Sequence, residues 1–172
     1  MSPVADMADK QNFTPDEWTK VLESVMLASM AVTAAEPGGL WGTLMETFAG
    51  GLAMGASKFD PSAKELIKAV IADFETQQGR FAVQEALRKG FAGAKPAEVV
   101  RRSLTHLREV AAILDARAPD DAAAFKAWLR GISQRVAEAS KEGSVLGFGG
   151  VQVSDAEKAT LADISKALGT TA

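Results

Sequence analysis

The sequence predicts an all-α, single compact domain of about seven helices. Three observations carry that prediction. Apolar residues recur at helical spacing and do not alternate with polar ones as half-buried strands require. Alanine, leucine, glutamate and lysine are abundant, whereas tyrosine is absent, a balance that favours helix over strand. Serine, threonine, aspartate and proline stand repeatedly just ahead of the periodic stretches, where helix starts need them.

The first helix begins at "TPDEW". Thr14 suits the N-cap, Pro15 the first helical position, and Glu17 completes a capping box. Trp18, Val21, Leu22, Val25, Ser29 and Val32 follow at helical spacing. No charge occurs between Ser24 and Ala35, so this helix is expected at the centre of the fold. "EPGG" ends it. The next stretch, Leu40 to Phe59, carries only Glu46 and Lys58 as charges. Its glycines, including Gly51 and Gly55, allow close helix approach. The stretch is read as a buried helix, with membrane insertion over residues 40–57 as the alternative; its apolar part is marginal for a span of ~20 residues.

Asp60 and Pro61 are expected to restart helix, with Ile67, Val70, Ile71 and Phe74 as its apolar stripe. A shorter helix is expected near Gly79–Phe91, with Val83, Leu87 and Phe91 in line. Pro96 opens a helix to about Arg117, with Val100, Leu104, Leu107, Ala111 and Leu114 inward. Pro119 opens another, with Phe125, Trp128, Leu129, Ile132 and Val136 as its stripe. After the loop holding Gly147, Gly149 and Gly150, Ser154 and Glu157 form a second capping box, and Leu161, Ile164 and Leu168 face inward. Gly169 is the natural C-terminal stop. Residues 1–12 have neither the basic nor the apolar region of a signal peptide. They are read as a flexible arm, leaving 13–172 as the helical domain.

Bulk properties exclude several functions. The net charge is −3, without the basic footprint of a nucleic-acid binder. Cysteine is absent, which removes disulfides, thiolate metal sites and cysteine nucleophiles and fits a reducing, cytoplasmic compartment. The run "GFGGVQVS" follows a helix, has no lysine at its end and matches neither nucleotide-loop spacing. It is read as a bend whose Val145, Leu146, Phe148 and Val151 fold onto the core.

His106 is the single histidine, with Glu109 on the same helical side. One histidine does not supply a carboxylate-bridged metal bundle, so it is expected as a surface residue or at the boundary of the core. "RRSLTHLRE" sets Arg101, Arg102 and Arg108 on one helix. This is read as a solvated face, or as a surface for a phosphate-bearing partner.

The chain also resembles itself. Aligning "TPDEW" with "APDDA" brings Val21 onto Phe125, Val25 onto Leu129, Ala28 onto Ile132 and Val32 onto Val136. The same order later brings Asp60 onto Ser154, Ile67 onto Leu161, Val70 onto Ile164 and Phe74 onto Leu168. Each half is then a long helix, a glycine-rich connection and a capped helix, a pseudo-two-fold repeat of helix pairs.

The stretch "RVAEASKEG…VQVSDAEKATLADISKALG", Arg135–Gly169, resembles the TerB-like tellurite-resistance family. Val153, Ser154 and Glu157 match the family's valine, serine and later glutamate, while Glu142-Gly143 replaces its Asp-Gly and "SVLGFGGVQ" is inserted. The resemblance covers about a fifth of the chain. It implies a non-enzymatic bacterial stress protein that binds a partner, with a divalent metal at acidic loops. Carried over by position, Glu142, Asp155 and Glu157 are the implied metal ligands. The alternatives are an apolar-ligand binder or enzyme with its pocket between the halves, near Trp41, Met45, Phe48 and Met54, and a peripheral membrane protein using the 40–57 segment.

Overall fold

A computed structural model describes residues 9–35, 63–142 and 153–170. Six α-helices run through them: α1 Pro15–Ala35, α2 Glu65–Glu75, α3 Gln77–Phe91, α4 Pro96–Arg117, α5 Pro119–Glu142 and α6 Asp155–Leu168. A 3-10 turn at Lys10–Asn12 precedes α1. Among the described residues there is no strand.

The uncharged run of α1 does what its composition demands. Val21, Leu22, Val25, Leu27, Ala28, Met30, Ala31 and Val32 are all buried, so core surrounds the helix on nearly every side. Helices α3, α4, α5 and α6 pack against it. Its start is closed as its residues require: Thr14 N–H donates to Glu17 Oε2 at 2.9 Å, and Glu17 N–H donates to Thr14 Oγ1 at 3.2 Å. Arg117, ending α4, donates through Nε and Nη2 to Glu17 Oε1 at 3.2 and 3.1 Å. Further along, Lys20 meets Glu109 and Glu23 meets His106. Partner numbers fall on α4 as they rise on α1, so the two helices are antiparallel.

Two helix starts use devices that sequence spacing does not reveal. Lys64, the N-cap of α2, gives no side-chain cap. The buried Asp121, from the first turn of α5, accepts from Leu66 N–H at 3.0 Å instead. Thr76 both ends α2 and caps α3, accepting from Gly79 N–H at 2.9 Å. The chain turns so tightly there that a Cβ on Gly79 would run into the backbone oxygen of Asp73. Gly169 adopts φ 70° at the end of α6, the left-handed conformation that glycine takes without strain.

The apolar stripe of α4 differs from the expected one. Val99, Ser103, Leu107, Val110, Ala111 and Leu114 are buried, whereas Val100 and Leu104 are only half-buried. The helix lies between α1 and α6 and also touches α5, so its inward face is wider and rotated from a single heptad row. Val136, Leu161 and Phe91 are likewise half-buried at the core edge.

Of the expected N-terminal arm, Asp9–Asn12 are described. Lys10 Nζ lies 3.2 Å from Asp73 Oδ2 on α2. Phe13 is buried, its ring 5.5 Å from that of Trp18. The helix expected over 40–57 lies outside the described residues, as do Asp60 and Pro61; the helix expected to start there begins instead at Glu65, after an extended Lys64. No helix among the described residues is long and apolar enough to cross a membrane.

Candidate functional site

The acids implied as metal ligands have separate surroundings. Asp155 projects into solvent, 3.9 Å from Lys158. Glu157 turns the other way and is buried. It accepts from Ser154 N–H at 2.8 Å, while its own N–H donates to Ser154 Oγ at 3.1 Å. Glu142 closes α5, and its side chain lies outside the described set. Among the described residues, no three or more histidines and acids gather as a metal site would require. Trp41, Met45, Phe48 and Met54, and the glycines 147, 149 and 150, also lie outside the described residues.

The structure instead brings together residues around His106. Glu23, on the charged edge of α1, is buried to 5% exposure. Its Oε2 lies 3.4 Å from His106 Nδ1. The angle does not make a well-aligned hydrogen bond, so the pair is an ion contact when the ring is protonated. This contact with Glu23 raises the ring's pKa above 6.5, against the opposing effect of partial burial; Glu109 adds to the rise and Lys20 reduces it. One turn along the seam, Lys20 Nζ holds Glu109 Oε2 at 2.9 Å. That hydrogen bond, ahead of partial burial, keeps the Glu109 carboxyl below its ordinary range.

His106 opens onto a cleft of about 330 Å³ between the end of α3 and the outer face of α4. Arg102, His106 and Glu109 recur along one edge of α4; Arg101 and Thr105 recur along the other, where helical spacing makes them neighbours. Gly90 and Phe91 form the opposite wall. Arg102 Nη1 donates to Gly90 O at 2.7 Å and so satisfies a carbonyl at the C-terminal end of α3. Its Nη2 is 3.9 Å from Glu98. Thr105 Oγ1 donates to Arg101 O at 3.1 Å. The Arg101 guanidinium, exposed at the rim, has no ion-pair partner among the described residues.

No family model matches the chain, and no curated protein or solved structure matches it either.

The sequence sets His106 at the surface or the core boundary, of which the structure shows the boundary, and groups the three arginines on one helix. Sequence reasoning missed Glu23. Glu23 directly precedes the uncharged run of α1, and a carboxylate at the edge of so apolar a stretch was a usable signal because once buried it needs a partner. Arg108 is exposed and does not line the cleft.

Proposed function

We propose that this chain is a non-enzymatic helical protein that works by binding a partner, with the α3–α4 cleft as its contact face. One observation carries the reading. The Thr105 hydroxyl is spent on the Arg101 carbonyl, while the Arg101 guanidinium stands open at the rim. A covalent mechanism asks for a nucleophile bonded to its base. Thr105 is instead bonded to backbone, and the His106 Nδ1 faces Glu23. What remains is a set of donors and an apolar wall, the equipment of recognition.

The TerB-like resemblance belongs to the same proposal, with its pseudo-two-fold repeat, a bacterial cytoplasmic setting and a role in tellurite or related stress. The Ser154–Glu157 cap on which the resemblance rests is formed. Of the aligned pairs, Val70 and Ile164 are both buried, as are Phe74 and Leu168, whereas Leu161 and Val136 are half-buried opposite the buried Ile67 and Val32.

Photo-crosslinking in cells exposed to tellurite tests this reading. A crosslinking residue at Ala92, beside the cleft, is expected to give discrete protein adducts that the same residue at the exposed Asp163 of α6 does not. Equal labelling from both positions, or none from Ala92, overturns it.

A further inference from the structure

Resting on that reading of the cleft as a partner face, we infer that it receives a phosphorylated side chain of a partner protein, with Arg101, Arg102 and His106 around the phosphate and Phe91 against the carbon stem.

The charges facing the cleft are unevenly committed. Glu109 is held by Lys20 of α1, and Glu23 is buried behind His106. These acids are therefore matched from behind. Arg102 uses one nitrogen on the Gly90 carbonyl and lies only loosely near Glu98. Arg101 is uncommitted among the described residues. The unspent donors thus belong to cations at the Arg101–Arg102 end. A guanidinium fork matches phosphate oxygens in pairs, and charge-assisted bonds of this kind are the strong ones.

His106 adds a second donor type. Its Nδ1 faces Glu23, and that pairing favours the protonated ring. The groups around it are Glu23 and Lys20 on α1, and Arg102 and Glu109 on α4; the α3 wall contributes uncharged Gly90 and Phe91. A dianion bound beside the ring favours its charged form further, so binding and protonation support one another.

Size and shape select the ligand. The cleft is open to solvent and holds about 330 Å³, at the small end of small-molecule sites. It suits a side chain presented from outside better than a ligand that must be enclosed. Phe91 is half-buried and offers an apolar wall, which a bare phosphate ion would not use.

Since His106 is the only histidine, its ring gives an unambiguous NMR signal. The full chain would be titrated with a short phosphoserine peptide, its unphosphorylated counterpart and inorganic phosphate, at constant ionic strength. The phosphopeptide is expected to shift the ring resonances saturably and to raise the ring's pKa. The unphosphorylated peptide should do neither, and inorganic phosphate should bind more weakly. R101Q alters an exposed side chain and is expected to weaken phosphopeptide binding at least about tenfold. Equal binding of both peptides, or unchanged affinity in R101Q, overturns the inference. Binding to vesicles containing phosphatidic acid without binding to the phosphopeptide overturns the protein-side-chain assignment and leaves a lipid headgroup as the source. If Ala92 crosslinks specifically while the phosphopeptide fails, the phosphate inference falls alone. If Ala92 yields no adduct, the partner reading itself fails.

Discussion

Glu23 on α1 and His106 on α4 face each other at 3.4 Å, with the carboxylate buried and the imidazole half-buried. A raised histidine pKa contributes stability that is complete below its unfolded value of 6.5 and is lost as pH rises through the higher folded value. The protein is therefore expected to lose stability from about neutral pH upward, while H106N flattens that part of the profile. E23Q should return the ring's pKa towards 6.5. Chemical denaturation across the pH series and NMR titration of the single histidine check both outcomes. A wild-type profile that rises above neutrality contradicts the pairing.

The first turn of α2 depends on a residue far away in the chain. Asp121 accepts from Leu66 N–H at 3.0 Å in a buried setting. D121A removes this acceptor and strands a buried donor, at an expected cost of about 1–3 kcal/mol. D121N keeps an oxygen in place and should recover much of it. Urea unfolding of the two variants measures the difference, and equal losses would mean that Asp121 acts through its charge alone.

These two contacts show where sequence legibility ended. The starts of α1, α4, α5 and α6 were readable because Thr14, Pro15, Pro96, Pro119 and Ser154 act on their own first turns. The stripes of α1, α2 and α5 were readable because each helix buries a face its own period defines. Asp121 capping α2, and Glu23 meeting His106, are choices made by the packing of separate helices. Periodicity carries no information about them. The α4 stripe held at Leu107, Ala111 and Leu114 but not at Val100 and Leu104, for a related reason: Val99 and Val100 are equally apolar, and only the flanking α1 and α6 decide which is buried. The candidate site was legible in part. The arginines and His106 were visible on one helix, but their common cleft required the end of α3.

Gly79 makes a sharper demand on the backbone. A Cβ there meets the carbonyl of Asp73, and backbone cannot yield as a flexible side chain can. G79A is expected to destabilise, against the propensity scale, on which alanine is the better helix former by about 1 kcal/mol. T76A should lose the α3 cap and cost about 1 kcal/mol. Thermal unfolding of both variants is the check. A stabilised G79A would show that the turn between α2 and α3 is looser than this packing implies.

Acid stability should depend on Asp73. Burial disfavours its charge, but a 2.6 Å hydrogen bond from Trp18 Nε1 and the nearby Lys10 outweigh that and lower its pKa below 3.8. A depressed carboxyl contributes stability that is present above its unfolded pKa and disappears as pH falls through the folded value. W18F keeps most of the buried ring and loses the donor. It is expected to cost about 1.5–3 kcal/mol at neutral pH and to move the acid-unfolding midpoint upward. An unchanged midpoint in W18F would assign the depressed pKa to Lys10 instead, which K10Q then tests directly.

Glu157 separates two readings of the same glutamate. As a metal ligand it should face a shared ion with Asp155. In the structure it is buried against the Ser154 backbone, whereas Asp155 points into solvent. A metal held only by the native state must raise the melting temperature. After chelator treatment, calcium, magnesium, manganese and zinc are therefore expected to leave the melting temperature unchanged. E157A should cost about 1 kcal/mol as a lost capping box. Glutamine retains a side-chain acceptor, so E157Q should be milder. A cation that stabilises the wild type but not E157Q would restore the ligand role and require this side chain to leave its cap.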